Sequence, residues 1–184
     1  NLYCLYDIKK HEVIFVDGGS KDKTLDILEE LSYFGYSYHV SVKKGRANQM
    51  NFGAEISRGD ILWFIHADSV LQKDVIQKVI DCPTEVGCLK IKFYPNSFPM
   101  RVNSIVSNMR ASITNLAFGD QALFLSRQAF EKVGGYKDMP IMEDYRISED
   151  LSANGYKITV IDSSVTTSTR RYKGHVKKTM WQMQ

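Results

Sequence analysis

Twice in its first 70 residues the chain repeats one event, in which a short apolar run passes directly into an acidic loop. Glu12 to Val16, rich in β-branched residues, runs into Asp17-Gly18-Gly19-Ser20. Ile61 to Ile65, the most apolar run of the chain, ends in His66-Ala67-Asp68-Ser69. Runs this short and apolar read as strands buried on both faces. Ligands in open α/β sheets sit beyond the carboxyl ends of such strands. The repetition therefore constrains the chain to an α/β fold with carboxylates gathered toward one crevice.

The intervening segments fit that frame. Leu25, Leu28 and Leu31 recur at a spacing of three and predict a helix over 24 to 31. A strand over 38 to 42, a polar loop ending at Arg46 and a helix over 47 to 56 repeat the unit. A helix over 74 to 80, a strand over 86 to 94 and a helix around 102 to 116 come next. Then come a strand over 122 to 125, Ser126 as a helix N-cap, a helix over 128 to 133 closed by Gly134-Gly135, a helix over 143 to 154 and a strand over 157 to 161. Strands alternating with helices predict a mainly parallel central sheet with helices on both faces. A length of 184 residues suits a single domain over 1–184.

Composition removes several function classes. A formal charge of +3 is too small for a nucleic-acid binder, although Arg170, Arg171, Lys173, Lys177 and Lys178 cluster near the end. Cys4, Cys82 and Cys88 are odd in number and lack zinc-site spacing, which points to a reducing compartment. No apolar run approaches the ~18 residues of a membrane span, and no secretory signal opens the sequence. The expected location is cytoplasmic. The basic tail with Trp181 is either a contact with the inner face of an anionic membrane or an ordinary solvated surface.

Four groups could carry chemistry, each with a bland reading beside it. The glycines of Asp17-Gly18-Gly19-Ser20 let backbone approach a ligand while Asp17 accepts hydrogen bonds; the same loop is also a common strand-to-helix turn. Asp68 is placed to hold a hard divalent cation such as Mg²⁺ or Mn²⁺, or else Asp68 or Ser69 caps the next helix. Glu143-Asp144 opens a predicted helix whose dipole favours ionised carboxylates; such a pair is a candidate general base or a routine helix stabiliser. Arg170 and Arg171 suit phosphate through their bidentate forks, with a surface salt bridge as the competing role.

Taken in order, HEVIFVDGGSKDKT, KGRANQMNFGA, GDILWFIHADS, GDQALFLSR, FEKVGGY, MEDYRISEDL and STRRYKG resemble family-two glycosyltransferases of the GT-A fold. The nearest resemblance is to the subgroup of transferases associated with radical-SAM and selenoprotein-like domains. It runs from about Glu12 to Gly174 and implies a nucleotide-sugar donor, an acceptor hydroxyl and a divalent metal, Mg²⁺ or Mn²⁺. On the donor side it places Asp17, Gly18, Gly19, Arg46, Asp68, Arg170 and Arg171, with Asp17 toward the nucleotide base and Asp68 on the metal. Asp144 becomes the base and Glu143 its support, while Gly119, Asp120 and Gln121 line the acceptor side. His66 stands where many relatives have the first aspartate, which implies a weak metal site. The family opens with a strand and a Pro-Asn-Glu turn that nothing before Glu12 matches, so an N-terminal strand is expected to be missing.

The resemblance implies a single displacement that inverts the anomeric carbon, with Asp144 taking the acceptor proton. One alternative is a non-catalytic nucleotide-sugar-binding or scaffold domain. The other, a sugar nucleotidyltransferase, needs a glycine-rich basic loop near the start that this sequence lacks.

Overall fold

The computed structural model describes residues 11–169. The elements in chain order are β1 (Ile14–Asp17), α1 (Thr24–Ser32), β2 (Ser37–Val40), α2 (Arg46–Ile56), β3 (Ile61–Trp63), β4 (Val70–Leu71) and α3 (Val75–Ile80). They continue with β5 (Val86–Tyr94), α4 (Phe98–Thr114), a 3-10 turn (Gly119–Gln121), β6 (Phe124–Ser126), α5 (Arg127–Lys132), α6 (Glu143–Ala153) and β7 (Ile158–Ser168). Arg170, Arg171, Lys173, Lys177, Lys178 and Trp181, like Cys4, lie outside the described residues.

β1 pairs in parallel with β2, setting Asp17 opposite Val40. The other strands form a five-stranded sheet in the order β3-β6-β5-β7-β4. Its longest pairing, β5 with β7, is parallel from Val86 and Ile158 to Tyr94 and Ser168, with a bulge between Leu89 and Lys90. β6 runs antiparallel to both β3 and β5, and β4 antiparallel to β7. The α/β class stands, but the mainly parallel sheet expected from the sequence is corrected to a mixed one.

The path of α4 gives the reason. Asn108 exchanges hydrogen bonds with both backbone groups of Ile91 (2.8 and 3.3 Å). Seven residues on, Asn115 bonds Tyr156 and Ile158 at the start of β7. The helix therefore runs back down the sheet from the end of β5. The loop after it climbs again, so that Gln121 reaches the carbonyl of Leu89 (3.5 Å), and β6 must descend against β5.

Both sheet faces are covered, as the near-continuous apolar strands require. Leu62, Val86, Leu125, Phe130, Ile147, Leu151 and Ile158 pack into one core, and Leu71, Val75, Val79, Leu89, Phe124, Ile161 and Val165 into the other. Fully burying a side chain of this size is worth about 1.5–3 kcal/mol, so these two clusters fix the strand order. Ser126 caps α5, its Oγ accepting from the N–H of Ala129 at 3.1 Å. That is the role its sequence context predicts.

Candidate active site

The two acidic loops have different fates. The Asp17 carboxylate turns back on its own loop: Oδ2 accepts from the N–H of Gly19 (2.6 Å) and of Ser20 (2.7 Å), and Oδ1 from the Ser20 hydroxyl. It is 6% exposed. The Ser20 hydroxyl, joined by backbone N–H groups, holds its pKa below the usual carboxylate range against the opposing effect of burial. Asp17 thus builds the loop, and Gly19 is the part of it that faces solvent.

Asp68 is exposed, and the next element after it is β4 rather than a helix. α3 begins only at Val75. Capping is therefore not its role. Because Val70 pairs with Thr166, the Asp68 loop lies beside the end of β7, a strand that stops at Ser168, two residues before Arg170.

Three motifs far apart in sequence meet at Gly119. A methyl group placed on its Cα would lie 3.1 Å from His66 Nε2 and 3.2 Å from Asp144 Oδ2. The backbone N–H of Gly119 donates to Asp144 Oδ2 at 2.7 Å, and that of Tyr145 to Oδ1 at 2.8 Å. These two bonds fix the carboxylate plane. A carboxylate has about four acceptor positions, so Asp144, which is half-buried, keeps capacity for a further partner. Asp120 is also half-buried, whereas Gln121 is fully buried, with its amide turned to Phe118 and Leu89.

Backbone strain marks both sides of this junction. Ala122, directly after the 3-10 turn, and Met142, directly before Glu143, have φ of 50° and 68°. Left-handed conformations are uncommon outside Gly, Asn and Asp, and cost on the order of 1 kcal/mol or more.

Helix α2 ties the parts together. Arg46 Nε meets Glu143 Oε1 at 2.8 Å, and the Glu143 side chain is only 3% exposed against 39% for Arg46. Glu143 is thus committed to Arg46 and holds the start of α6 in place. Gln49 Nε2 donates to the carbonyl of Val16 (3.1 Å) and packs on Gly18, while Asn51 bonds both the N–H and the carbonyl of Tyr136. Tyr136 stacks edge-on against Phe64, 5.1 Å away and two residues before His66. Burial pushes the Tyr136 phenol pKa up, and the charges of Asp144 and Glu143 push the same way. Sequence reasoning gave no role to Gln49 or Asn51. Their signal is a run of amides, Asn48-Gln49 and Asn51, inside the motif KGRANQMNFGA, in a helix that buries Ala47 and Ala54.

Among the described residues no group of three or more His, Cys, Asp or Glu is arranged to hold a metal. The donor set at this edge is Asp68 with His66 two residues before it. That set fits a divalent cation only if a ligand's own oxygens complete its coordination, since Mg²⁺ and Mn²⁺ prefer several hard oxygen donors.

Comparison with known proteins bears on the same geometry. Residues 3–82 match the family described as Glycosyl transferase family 2. The chain has the GT-A glycosyltransferase fold. A mannosyltransferase of Pyrobaculum calidifontis, solved with GDP-mannose and Mn²⁺, superposes with a TM-score of 0.71 at 21% identity, over 96% of this chain and 53% of that one. Glucosyl-3-phosphoglycerate synthase of Mycobacterium tuberculosis, solved with Mn²⁺, UDP-glucose and phosphoglyceric acid, gives 0.60 at 13% identity over 91% and 63%. Among curated proteins, an uncharacterized glycosyltransferase of Haemophilus influenzae is 25% identical over 87% of this chain. The β-monoglucosyldiacylglycerol synthase of Synechocystis is 24% identical over 85%. The chain spans 60% and 36% of the lengths of these two relatives.

Proposed function

We propose that this chain transfers a sugar from a nucleotide-diphosphate donor to an acceptor hydroxyl, with inversion at the anomeric carbon. The observation that carries this reading is the meeting of His66, Gly119 and Asp144 at one end of the sheet in a GT-A fold. Asp144 is the base: it takes the proton of the acceptor hydroxyl while that oxygen bonds to the anomeric carbon. The bond from this carbon to the diphosphate oxygen breaks, and the nucleoside diphosphate leaves with the electron pair. The fixed carboxylate plane of Asp144 supports this role, because a general base must already point at its proton.

On the donor side, the loop shaped by Asp17 presents Gly18 and Gly19 to the nucleotide, and Arg46 acts through Glu143. Asp68 would hold the divalent cation together with the diphosphate, and Arg170 and Arg171, just beyond β7 in the sequence, would share the same charge. Each opposite charge 4 Å away contributes roughly 4 kcal/mol in a partly screened site, so the cation and the arginines are worth having together. Gly119 and Asp120 face the acceptor; Gln121, turned inward, supports them. Membership of the radical-SAM-associated subgroup rests on the whole ordered series of motifs from HEVIFVDGGSKDKT to STRRYKG.

The test is release of nucleoside diphosphate from a panel of nucleotide sugars supplied with candidate acceptors. Asp144→Asn is expected to lower turnover about a hundredfold to ten-thousandfold with donor affinity retained. Near-normal turnover in that variant removes Asp144 from the role, and donor binding without turnover in the wild type favours a binding domain instead.

A further inference from the structure

Ser148 lies on α6 next to Ile147, and both side chains are fully buried. Ile147 packs in the apolar core, where a hydroxyl has no natural place. A hydroxyl taken out of water costs free energy unless it finds hydrogen-bond partners, and serine is at best neutral inside a helix. The partners of Ser148 belong to the candidate site. Its Oγ accepts from the N–H of Ala117 at 3.2 Å. The same oxygen lies 2.9 Å from the carbonyl of Ala117 and 3.0 Å from that of Asp144, one of which takes its single proton. Ala117 is itself buried, so water does not replace these bonds.

Ala117 stands two residues before Gly119, the residue whose N–H donates to Asp144 Oδ2. Ser148 stands four residues after Asp144, so the two share one face of α6. The lengths agree. Phe118, between Ala117 and Gly119, is extended (φ −98°, ψ 158°), and two extended residues span at most about 7 Å. Four helical residues rise about 6 Å. The segment 117–119 therefore lies antiparallel along the first turns of α6, with both ends bonded at once. Its middle is held from two helices: the Phe118 ring meets the Arg110 guanidinium of α4, 3.6 Å from the ring centroid, and the ring of Tyr145 on α6 at 6.4 Å.

We infer that Ser148 is a positioning residue for the base. By gripping Ala117 it sets where Gly119 meets α6, and Gly119 in turn holds the Asp144 carboxylate that receives the acceptor proton. Without the hydroxyl, both backbone groups of Ala117 lose their partner and the segment lifts from α6. Asp144 then keeps the N–H of Tyr145 on Oδ1 but loses its donor on Oδ2. A misplacement of about 1 Å at a reacting group costs on the order of a hundredfold in rate. The catalytic consequence rests on the transfer proposed above, whereas the grip on Ala117 does not, and the two are measured separately.

The experiment compares Ser148→Ala with Ile147→Val, a neighbouring core substitution that touches no bond of the site. Without substrate, the amide proton resonance of Gly119 reports its charge-assisted bond to Asp144, and Asp144→Asn sets the scale of its loss. Ser148→Ala is expected to move this resonance in the same direction as Asp144→Asn, and Ile147→Val to leave it in place. In the nucleotide-sugar panel, Ser148→Ala is expected to lower kcat about tenfold to a hundredfold with donor and acceptor KM within about threefold, while Ile147→Val keeps kcat within about twofold. If Ser148→Ala does not fold, Ser148→Cys, of similar size with a weaker donor and acceptor, is read in its place and is expected to move both signals part of the way. An unchanged Gly119 resonance in a folded Ser148 variant overturns the proposal. So does a loss of kcat no greater than that of Ile147→Val, or a raised acceptor KM with kcat retained. A wild type without turnover refutes the transfer instead, and the resonance still decides the grip on Ala117.

Discussion

Asp17 and the Arg46–Glu143 pair show how single residues serve this site without touching a reacting atom. The loop N–H groups and the Ser20 hydroxyl stabilise ionised Asp17 in the folded chain, so its folded pKa lies below its unfolded value near 3.9. That contribution is complete above the unfolded value and is lost as pH falls through the folded one. Asp17→Asn is therefore expected to lower stability by about 1 kcal/mol at pH 7, with a difference from wild type that shrinks below about pH 4. Urea midpoints at pH 7 and pH 3 check this, and a pH-independent difference contradicts it. Arg46→Met leaves the Glu143 carboxylate buried without its cation. Removing one partner of a buried pair costs about 3–5 kcal/mol, which the partial exposure of Arg46 reduces to about 2–3 kcal/mol. The same denaturation assay reads it. At Cys88 burial outweighs the nearby Arg110 charge: its thiol pKa is pushed up to about 12, and it is expected to resist alkylating reagents in the folded protein and to react after the half-buried Cys82.

Among the elements, β5 is held on both sides at the centre of the sheet, between β6 and β7. Gly87 faces Phe124 on one side and Thr159 on the other, and a methyl group there would come within 2.3 Å of the Phe124 ring and 2.9 Å of the Thr159 carbonyl. Gly87→Ala is expected to destabilise the fold by about 2–3 kcal/mol, since neither neighbour can withdraw, and a drop in melting temperature measures it. The sequence made β5 legible over its full length, 86 to 94, because Leu89, Ile91 and Phe93 alternate with Lys90 and Lys92 ahead of Pro95. α1, α2 and α6 were legible to within a residue or two because a glycine lies just beyond each, Gly35, Gly59 and Gly155. Strand direction was not legible. A three-residue strand such as Phe124–Ser126 carries no mark of its orientation, which depends on where α4 delivers the chain. The length of β7, 158 to 168 rather than 157 to 161, was hidden because Asp162, Ser163 and Ser164 read as a turn but lie across the register shift opposite Leu89 and Lys90. β4 was hidden because two residues show no period.

At the scale of the whole molecule, the candidate site joins residues from positions 17 to 144, and the sequence named most of its motifs while concealing their contacts. Asp17, Asp68 and Glu143-Asp144 stood out because acidic residues at strand ends and helix starts are conspicuous, while Gly119 and the place of His66 came from the family resemblance. The pairing of Arg46 with Glu143 across about a hundred residues, and the clamp of Asn51 on Tyr136, arise only from the fold. In the proposed function these parts bind a nucleotide sugar through Asp68 and a divalent cation. This binding is tested most directly by the melting temperature of the chain with UDP, GDP, CDP or dTDP, each with and without Mn²⁺, in wild type and Asp68→Asn. A ligand present at a hundred times its dissociation constant stabilises the folded state by about 2.7 kcal/mol, a shift that is easily read. One nucleotide is expected to raise the wild-type melting temperature only when Mn²⁺ is present, and to lose most of that effect in Asp68→Asn; no response to any nucleotide, or an equal response in the variant, contradicts the account.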